Sequence, residues 1–170
     1  HQLRGADSEA DEIFVRDIAN QWQLPIFVDT ANIAALAEER KQSVEETARQ
    51  ARYSFLWRVA DEVNAQKIAV GHNADDQVET VLMHLLRGTG LDGLRGMLPI
   101  MDISSLRLPI SPLATPKLIR PLLETSRQQI EAYCREYQLS PRQDFSNQDT
   151  TFFRNRLRHE LIPYLESYNP

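Results

Sequence analysis

The chain has 170 residues, a hydrophobic content of 42% and a formal net charge of −5 at pH 7. A chain of this length can bury one hydrophobic core, so we expect one domain over residues 1–170. No apolar run approaches the roughly 20 residues that span a bilayer, and no secretory signal opens the chain. These features predict a cytoplasmic protein with no membrane partner. The single cysteine, Cys134, excludes a disulfide framework.

The acidic net charge is unusual for a protein that binds nucleic acid, because neutralising phosphates takes clustered lysine and arginine. The charges are unevenly spread along the chain. Residues 1–30 hold six acidic residues against two arginines, whereas residues 152–159 hold three arginines and no acid. Any contact with RNA is therefore expected on the second of these segments.

The first half of the chain alternates between predicted helices and strands. Ser8 is placed to cap a helix with an apolar stripe, and Pro25–Val28 has the pattern of a short strand. Ser43 and Glu46 form a capping-box pattern that opens a long helix. The stripe of the first helix consists of Phe14, Ile18 and Trp22. The core-facing residues of the long helix are expected to be Val44, Ala48, Ala51, Phe55, Val59 and Val63.

A second strand and a further helix follow. Lys67–Val70 is predicted as a short interior strand, and Asn73 is a good N-cap for the helix after it. The apolar positions of this helix are Val78, Val81, Leu82, Leu85 and Leu86. Strands that alternate with helices predict an α/β fold, with a parallel sheet and helices on both faces.

Beyond Arg87 the pattern loosens, so we divide the domain into an α/β core, residues 1–88, and a helical and hairpin part, residues 89–170. Gly88 is expected to end the preceding helix. Residues 101–108 are predicted to form a short hairpin around Ser104 and Ser105. Thr125–Gln128 is a second capping-box pattern, for a helix through Tyr137. A last short helix is expected to carry Phe153, Leu157 and Leu161 inward and to end near Pro163.

An acid-rich segment lies where the second strand meets the helix after it. This segment, Gly71–Thr80, includes His72, Asp76 and Glu79. Ligands of open α/β sheets bind just beyond the carboxyl ends of the strands, and carboxylates three residues apart on a helix can face one bound group. The alternative is a structural role, since the helix dipole favours acids in a first turn whether or not anything binds.

Three arginines form a second polar group, at Arg154, Arg156 and Arg158. Arg154 and Arg158 are four residues apart and share a helical face away from the apolar stripe. A solvated basic face is the alternative interpretation. Three arginines in five residues nevertheless favour the binding of a phosphate or a nucleotide.

Taken in order, these segments resemble the tRNA(Ile)-lysidine synthetases, N-type ATP pyrophosphatases with a PP-loop. The segments that carry the resemblance most strongly are Gly71–Thr80, Leu85–Met97 and Arg154–Arg158. Further matching segments are His1–Gly5, Asp7–Glu12, Ala48–Tyr53, Arg120–Leu123 and Asp144–Asp149. The resemblance implies an adenine nucleotide alpha hydrolase-like, Rossmann-like fold. It also places the glycine-rich residues 88–96 in a mobile loop over the site, whereas the residues alone allow a flexible connection equally well.

The resemblance also implies a reaction in which free lysine is ligated to the wobble cytidine of an isoleucine tRNA. ATP, with Mg²⁺, adenylates the cytosine oxygen, and the lysine amine then displaces AMP. An ammonium with a pKa of about 10.4 is not a nucleophile, so a carboxylate has to accept its proton. The resemblance assigns catalysis to His72, Asp76, Glu79 and Arg154. It assigns nucleotide binding to Arg52, His72 and Arg154, and substrate binding to Asp76, Glu79, Arg156 and Arg158, with the metal ligands unknown.

One family feature is absent from the 170 residues, namely the nucleotide-binding Ser-Gly-Gly-x-Asp-Ser loop. We therefore expect an N-terminally truncated part of the synthetase. This part should be inactive by itself, because no loop amides are present to cradle pyrophosphate. Removing an interior strand would leave unpaired strand edges, which favours dimerisation as one way to cover them.

Three other functions stay open on the sequence. A cytidine thiolase would use the same fold, although such enzymes typically need paired cysteines and this chain has one. The chain would otherwise be an inactive, RNA-binding remnant of the synthetase. A metal-dependent phosphohydrolase built on His72 and Asp76 is the third, but the additional histidine ligands of a two-metal site are missing.

Overall fold

The computed structural model describes residues 6–106, 108, 116–142 and 148–169. The matching segment His1–Gly5 and most of Asp144–Asp149 lie outside these residues. The chain forms two compact units. The first comprises residues 1–68 and 101–118, and the second comprises residues 69–100 and 119–170. The one domain divided at residue 88 stays a prediction.

Among its described residues, the first unit contains the α-helices α1 (Ala6–Gln21), α2 (Ile33–Arg40) and α3 (Val44–Glu62). Ser8 lies inside α1 instead of capping it, so the predicted start was wrong. The helix begins earlier because the residues before and after Ser8 are alanines and acids, and Ala and Glu are good helix formers. Trp22, the last member of the predicted stripe, is exposed.

Pro25–Val28 does not form the predicted strand. Phe27 and Val28 are exposed, and in the described part of the chain no strand lies beside them. A strand needs a hydrogen-bonded neighbour for its backbone groups. An apolar tetrapeptide with no such neighbour has no reason to adopt regular structure.

α3 begins as predicted, with the Ser43 hydroxyl accepting a hydrogen bond from the Glu46 amide at 3.2 Å. Its buried residues are Thr47, Ala48, Tyr53 and Ala60. It packs against α2, which buries Ile33 and Ala37. The prediction that Val44 and Val63 face the core was wrong. They flank the helix as its first residue and its C-cap, beyond the reach of the packed face.

Three short strands form a sheet in the order β1-β3-β2, with β1 at Lys67–Ala69, β2 at Ile100–Asp102 and β3 at Lys117–Ile119. The Lys117 amide bonds to the Gln66 carbonyl and the Val70 amide to the Ile119 carbonyl, so β1 and β3 are parallel. The α/β class is confirmed, but the sheet of the described residues is mixed instead of wholly parallel, and β1 lies at its edge instead of in its interior.

β2 corrects the predicted hairpin. It pairs with β3, and a 3-10 helix, Ile103–Leu106, follows it directly, while part of the predicted second hairpin strand lies outside the described residues. The Arg120 amide bonds to the Pro99 carbonyl at 2.9 Å, and the Lys117 side chain forms an ion pair with Asp102 at 2.6 Å. The end of β3 therefore lies beside the start of β2, and the two strands are antiparallel. Ile103 is fully buried, and the helical turn is what places it inward.

The second unit contains α4 (Ala74–Leu86), α5 (Leu91–Leu94) and α6 (Arg127–Glu136). The Asn73 cap and the helix stop at Gly88, where φ is +73°, are confirmed. The second capping box is one residue later than predicted, between Ser126 and Gln129. Thr125 is not the cap, because its carbonyl accepts the Ala74 amide at 3.0 Å.

The C-terminal helical segment consists of α7 (Phe153–Arg156), a wide π-helical turn (Leu157–Leu161) and α8 (Ile162–Glu166). Pro163 does not end this segment, so that prediction was wrong. It lies in the first turn of α8, where its missing N–H costs little. Leu157 is buried as predicted, but Phe153 is exposed. Among the described residues, no helix combines the length and the apolar character that crossing a membrane requires.

Candidate active site

α4 buries a charge and leaves some of its apolar residues exposed. Glu79 is 1% exposed and is the buried residue of this helix, whereas Leu85 and Leu86 are each 55% exposed. Glutamate is almost never fully buried unless it is paired. A fully buried carboxylate on a helix with exposed leucines therefore indicates that the helix is built to hold that carboxylate.

The start of α4 fixes the second carboxylate. The Asn73 side chain accepts the Asp76 amide at 3.0 Å, and the Asp76 Oδ2 atom accepts the Asn73 amide at 3.0 Å. This reciprocal capping box satisfies two backbone donors that a helix start otherwise leaves unpaired. Asp76 is thereby held in one rotamer, and its Oδ1 atom remains for another partner. The sequence had suggested the cap at Asn73 but not that Asp76 completes it.

Two arginines from the C-terminal helical segment reach these carboxylates. The Arg158 Nε atom donates to Glu79 Oε1 at 2.6 Å, and the Arg154 Nε atom donates to Glu79 Oε2. Arg154 also donates through Nη2 to Asp76 Oδ1 at 3.1 Å. We call Asp76, Glu79, Arg154 and Arg158 the acid–arginine cluster. All four lie in the second unit, on α4, α7 and the π-helical turn.

The cluster is charge-balanced, with two carboxylates against two guanidinium groups. Both Glu79 oxygens accept charge-assisted hydrogen bonds, which is what a buried carboxylate requires. The side chains of Asp76, Arg154 and Arg158 are 22%, 39% and 25% exposed. The inner carboxylate is therefore sealed, while the outer carboxylate and both arginines stay open to a ligand from solvent.

Asp149 lies just before the C-terminal helical segment, which we also call the arginine-bearing segment because it carries Arg154, Arg156 and Arg158. Its Oδ1 atom accepts the Thr151 hydroxyl at 2.7 Å and the Thr151 amide at 2.9 Å, and its carbonyl accepts the buried Asn155 side chain at 2.8 Å. The hydroxyl and then the amide of Thr151 hold the pKa of Asp149 below its ordinary value. This turn lies directly before α7 and bonds to Asn155 within it.

The structure brings together four of the seven predicted site residues, and their roles stay predictions. His72 is half-buried just before the capping box, in the same unit. Arg156 points elsewhere, because its guanidinium is exposed and lies 3.7 Å from Glu160. Arg52 is exposed on α3 in the first unit.

Three residues around the cluster were missed by the sequence reasoning. Asp75 accepts the Arg127 amide at 2.7 Å and so ties the start of α6 to the start of α4. The buried Arg120 donates to the Leu98 carbonyl at 2.6 Å. Gln77 bonds to the backbone of Arg95 and Met97. All three act on backbone groups of distant segments, for which a single sequence carries no signal.

An open apolar cavity of about 310 Å³ lies beside the arginine-bearing segment. It is lined by Leu86, Phe153, Arg156, Leu157, Glu160, Leu161 and Tyr164. Leu157 immediately precedes Arg158, so the cavity and the cluster share the π-helical turn. Within the described residues, no group of three His, Cys, Asp or Glu side chains is arranged to hold a metal ion.

Comparisons with known proteins identify the family to which the chain belongs. The family model described as the PP-loop domain matches residues 1–165. The tRNA(Ile)-lysidine synthase of Geobacter sulfurreducens is 45% identical over 170 residues, covering 100% of this chain and 34% of the relative. The synthases of Dehalococcoides mccartyi and Symbiobacterium thermophilum are 40% and 44% identical, over 100% and 97% of this chain and 35% and 32% of the relatives. The chain thus spans about a third of the length of these relatives, and it belongs to the PP-loop domain family.

Proposed function

We propose that this chain is part of a tRNA-modifying ligase that joins lysine to the wobble cytidine of an isoleucine tRNA. The observation that carries the proposal is the acid–arginine cluster. All 170 residues of the chain align with a relative named as a lysidine synthase, at 45% identity. A substrate ammonium and a substrate phosphate need opposite charges close together. The cluster offers both, with its acid on α4 and its arginines on the facing segment.

Asp76 is the residue we assign to the lysine amine. It is the more exposed carboxylate of the cluster, and its orientation is fixed by the capping box. It would attract the ammonium group and accept its proton, so that the neutral amine can form the new carbon–nitrogen bond. Glu79, sealed by two guanidinium groups, would hold Arg154 and Arg158 in place and contribute negative potential toward the same amine.

The arginines fit an anionic nucleotide. Arg154 and Arg158 each have other guanidinium nitrogens beyond the one held by Glu79, and both side chains are partly exposed. We assign Arg154 to the phosphate of ATP or of the adenylated intermediate and Arg158 to the tRNA, with His72 next to the capping box orienting the nucleotide. Mg²⁺ typically keeps several waters and binds through one or two carboxylates and the substrate phosphates. Asp76 is the acid of the cluster open to such an ion.

Arg52 and Arg156 are weaker assignments. Arg52 is exposed and is proposed to bind the nucleotide only through its place in the matching segment Ala48–Tyr53. Arg156 is exposed beside Glu160 and is proposed to contact tRNA phosphate. The thiolase alternative is not favoured, because the relatives compared above are named lysidine synthases and the chain has one cysteine.

We further propose that residues 1–170 do not complete the reaction alone, because they contain no Ser-Gly-Gly-x-Asp-Ser segment to cradle pyrophosphate. The experiment compares the 170-residue chain with the intact protein encoded by its gene. Lysine-dependent release of AMP from ATP is measured with an isoleucine tRNA that carries a wobble cytidine. We expect the intact protein to release AMP and the 170-residue chain to release none. An intact protein that releases AMP without lysine, or that modifies another base, would overturn the proposed function.

A further inference from the structure

The glycine-rich residues after α4 are tied back onto that helix, and we call residues 88–97 the glycine segment. The Thr89 hydroxyl donates to the His84 carbonyl at 2.8 Å, and the Thr89 amide donates to the same carbonyl at 3.1 Å. The His84 Nδ1 atom lies 2.7 Å from the Gly93 carbonyl oxygen. Since a carbonyl only accepts, Nδ1 carries the proton. The segment is thus anchored at the end of α4.

Gln77 anchors the other end of the glycine segment, at the first turn of α4. Its Oε1 atom accepts the Met97 amide at 2.7 Å, and its Nε2 atom donates to the Met97 carbonyl at 3.1 Å and to the Arg95 carbonyl at 3.4 Å. One carboxamide therefore pairs with Met97 in both directions, as a neighbouring backbone would. Gly96 permits this approach, because its φ is +61° and an added Cβ would lie 2.7 Å from the Gln77 side chain.

Gln77 also holds the backbone of Arg95, because its Nε2 atom donates to the Arg95 carbonyl. The Arg95 side chain is exposed, and among the described residues it forms no ion pair or side-chain hydrogen bond. Its backbone is held against the helix turn that also bears Asp76. Asp76 in that turn already pairs with Arg154, and Asp75 accepts the Arg127 amide. A fixed backbone with an uncommitted guanidinium suits an anionic ligand, and guanidinium groups bind phosphate through paired hydrogen bonds.

We infer that Arg95 binds a phosphate group of the substrates and that Gln77 is the positioning residue that holds it there. The inference deepens the proposed function and rests on it. The phosphate belongs either to the nucleotide or to the RNA backbone, and the two sources differ in what they predict. A nucleotide phosphate makes Arg95 matter for ATP affinity. An RNA phosphate makes it matter for tRNA affinity and for the salt dependence of that affinity.

The first test uses Arg95→Ala in the intact protein, with Arg135→Ala as a matched control on an exposed face of α6 in the same unit. The Kd values of ATP and of tRNA are measured directly, without turnover. We expect Arg95→Ala to weaken one of them about tenfold, as for the loss of a charge-assisted contact. A weaker tRNA complex with a flatter salt dependence identifies the RNA, and a weaker ATP complex identifies the nucleotide. If both Kd values stay within twofold of wild type, the inference is overturned.

The second test asks whether Gln77 acts through the segment. Gln77→Ala should speed hydrogen exchange at the Met97 amide at least tenfold and reproduce the Kd change of Arg95→Ala, while kcat at saturating substrate changes less than KM. Gln77→Glu keeps an acceptor for the Met97 amide but sets a carboxylate against two carbonyls, so it should fall between wild type and Gln77→Ala. Gln128→Ala, exposed on α6, is the control. Unchanged exchange, or faster exchange with wild-type affinities, would refute the positioning role.

These outcomes separate the inference from the proposed function. If the intact protein binds ATP and tRNA through Arg95 but never consumes lysine, the function is wrong and the phosphate contact stands. If lysine is ligated normally by Arg95→Ala with unchanged Kd values, the function stands and the contact is refuted. Wild-type protein that binds neither ATP nor tRNA overturns both.

Discussion

α3 and α4 both begin with a side-chain cap, yet they bury opposite kinds of residue. α3 buries Thr47, Ala48, Tyr53 and Ala60, as expected for a helix that packs on a neighbour. α4 buries Glu79 and leaves Leu85 and Leu86 half-exposed. Burying a carboxylate costs several kcal/mol before its partners repay it, so hydrophobic burial alone does not explain α4. The difference shows that apolar packing holds α3, whereas a buried carboxylate paired with two arginines holds α4.

The largest effect is expected from Glu79→Gln, which removes the buried charge that α4 is built around. Arg154 and Arg158 would lose their common partner, and breaking a buried pair typically costs 3–5 kcal/mol. Because both arginines are partly exposed, we expect about 3 kcal/mol and a clearly lower Tm. Lysine-dependent turnover should fall by roughly 10². Denaturant unfolding and AMP release measure the two effects.

The matched control for this variant is Glu131→Gln, which breaks the exposed Glu131–Arg127 pair of α6. An exposed pair contributes about 1 kcal/mol or less. If Glu79→Gln is no more destabilising than this control, the pairs of Glu79 with Arg154 and Arg158 stabilise the fold no more than an exposed ion pair does. The contrast between α3 and α4 would then lose its energetic basis.

Asp76→Asn separates the cap from the charge at the same residue. The amide oxygen can still accept the Asn73 amide, so the start of α4 and the free energy of unfolding should change by only about 1 kcal/mol. Lysine-dependent turnover should fall roughly 10²-fold, because the side chain can no longer accept a proton, while tRNA affinity stays within a few-fold. The control is Asp92→Asn, at an exposed acid in the first turn of α5. Wild-type turnover by Asp76→Asn at saturating lysine would leave Asp76 as a helix cap and a partner of Arg154, with no role in proton transfer.

Local signals within one turn of the chain predicted several helix ends, although the Ser8 cap was wrong and the second capping box begins one residue later than predicted. The caps at Ser43 and Asn73 and the helix stop at Gly88 depend on neighbouring residues and are confirmed. The strand at Lys67 is confirmed too, although its partner, β3, is distant in sequence. The strand at Pro25–Val28 and the hairpin after Met101 were wrong, because pairing depends on which strand lies alongside. For β2 the partner is β3, which is distant in sequence.

In the candidate site too, contacts between neighbouring residues could be predicted and contacts between distant segments could not. Spacing alone placed Asp76 near Glu79 and Arg154 near Arg158, since residues three or four apart share a helical face. Nothing in the spacing shows that the second pair contacts the first across more than 70 residues, which is the geometry that makes Glu79 a buried counterion. Gln77 was invisible for a related reason. Its partners are backbone groups, which carry no residue-specific signal.

Arg154→Ala against Arg156→Ala gives a smaller, sharper comparison within one short helix. Arg154 contacts both carboxylates of the cluster, whereas Arg156 is exposed beside Glu160. We expect Arg154→Ala to slow adenylation roughly tenfold or more with a modest loss of stability, since Arg158 still pairs with Glu79. Arg156→Ala should leave adenylation unchanged and at most flatten the salt dependence of tRNA binding. Equal adenylation rates for the two variants would show that Arg154, like Arg156, is only a surface charge.

The smallest expected effect is a titration at the start of the arginine-bearing segment. The Thr151 hydroxyl and amide bond to Asp149 and hold its pKa below the ordinary value, although the carboxylate is exposed. Because the folded pKa is lowered, the contribution of Asp149 to stability is present above its unfolded pKa and is lost as the pH falls through the folded value. Thr151→Val removes the hydroxyl donor, so the pKa of Asp149 should rise toward its ordinary value. NMR titration of the Asp149 carboxyl carbon measures the shift. If the pKa does not move in Thr151→Val, the hydroxyl does not hold the turn that precedes Arg154. If it moves and adenylation stays unchanged, the turn is a local feature and Arg154 is positioned by Glu79 and Asp76 themselves.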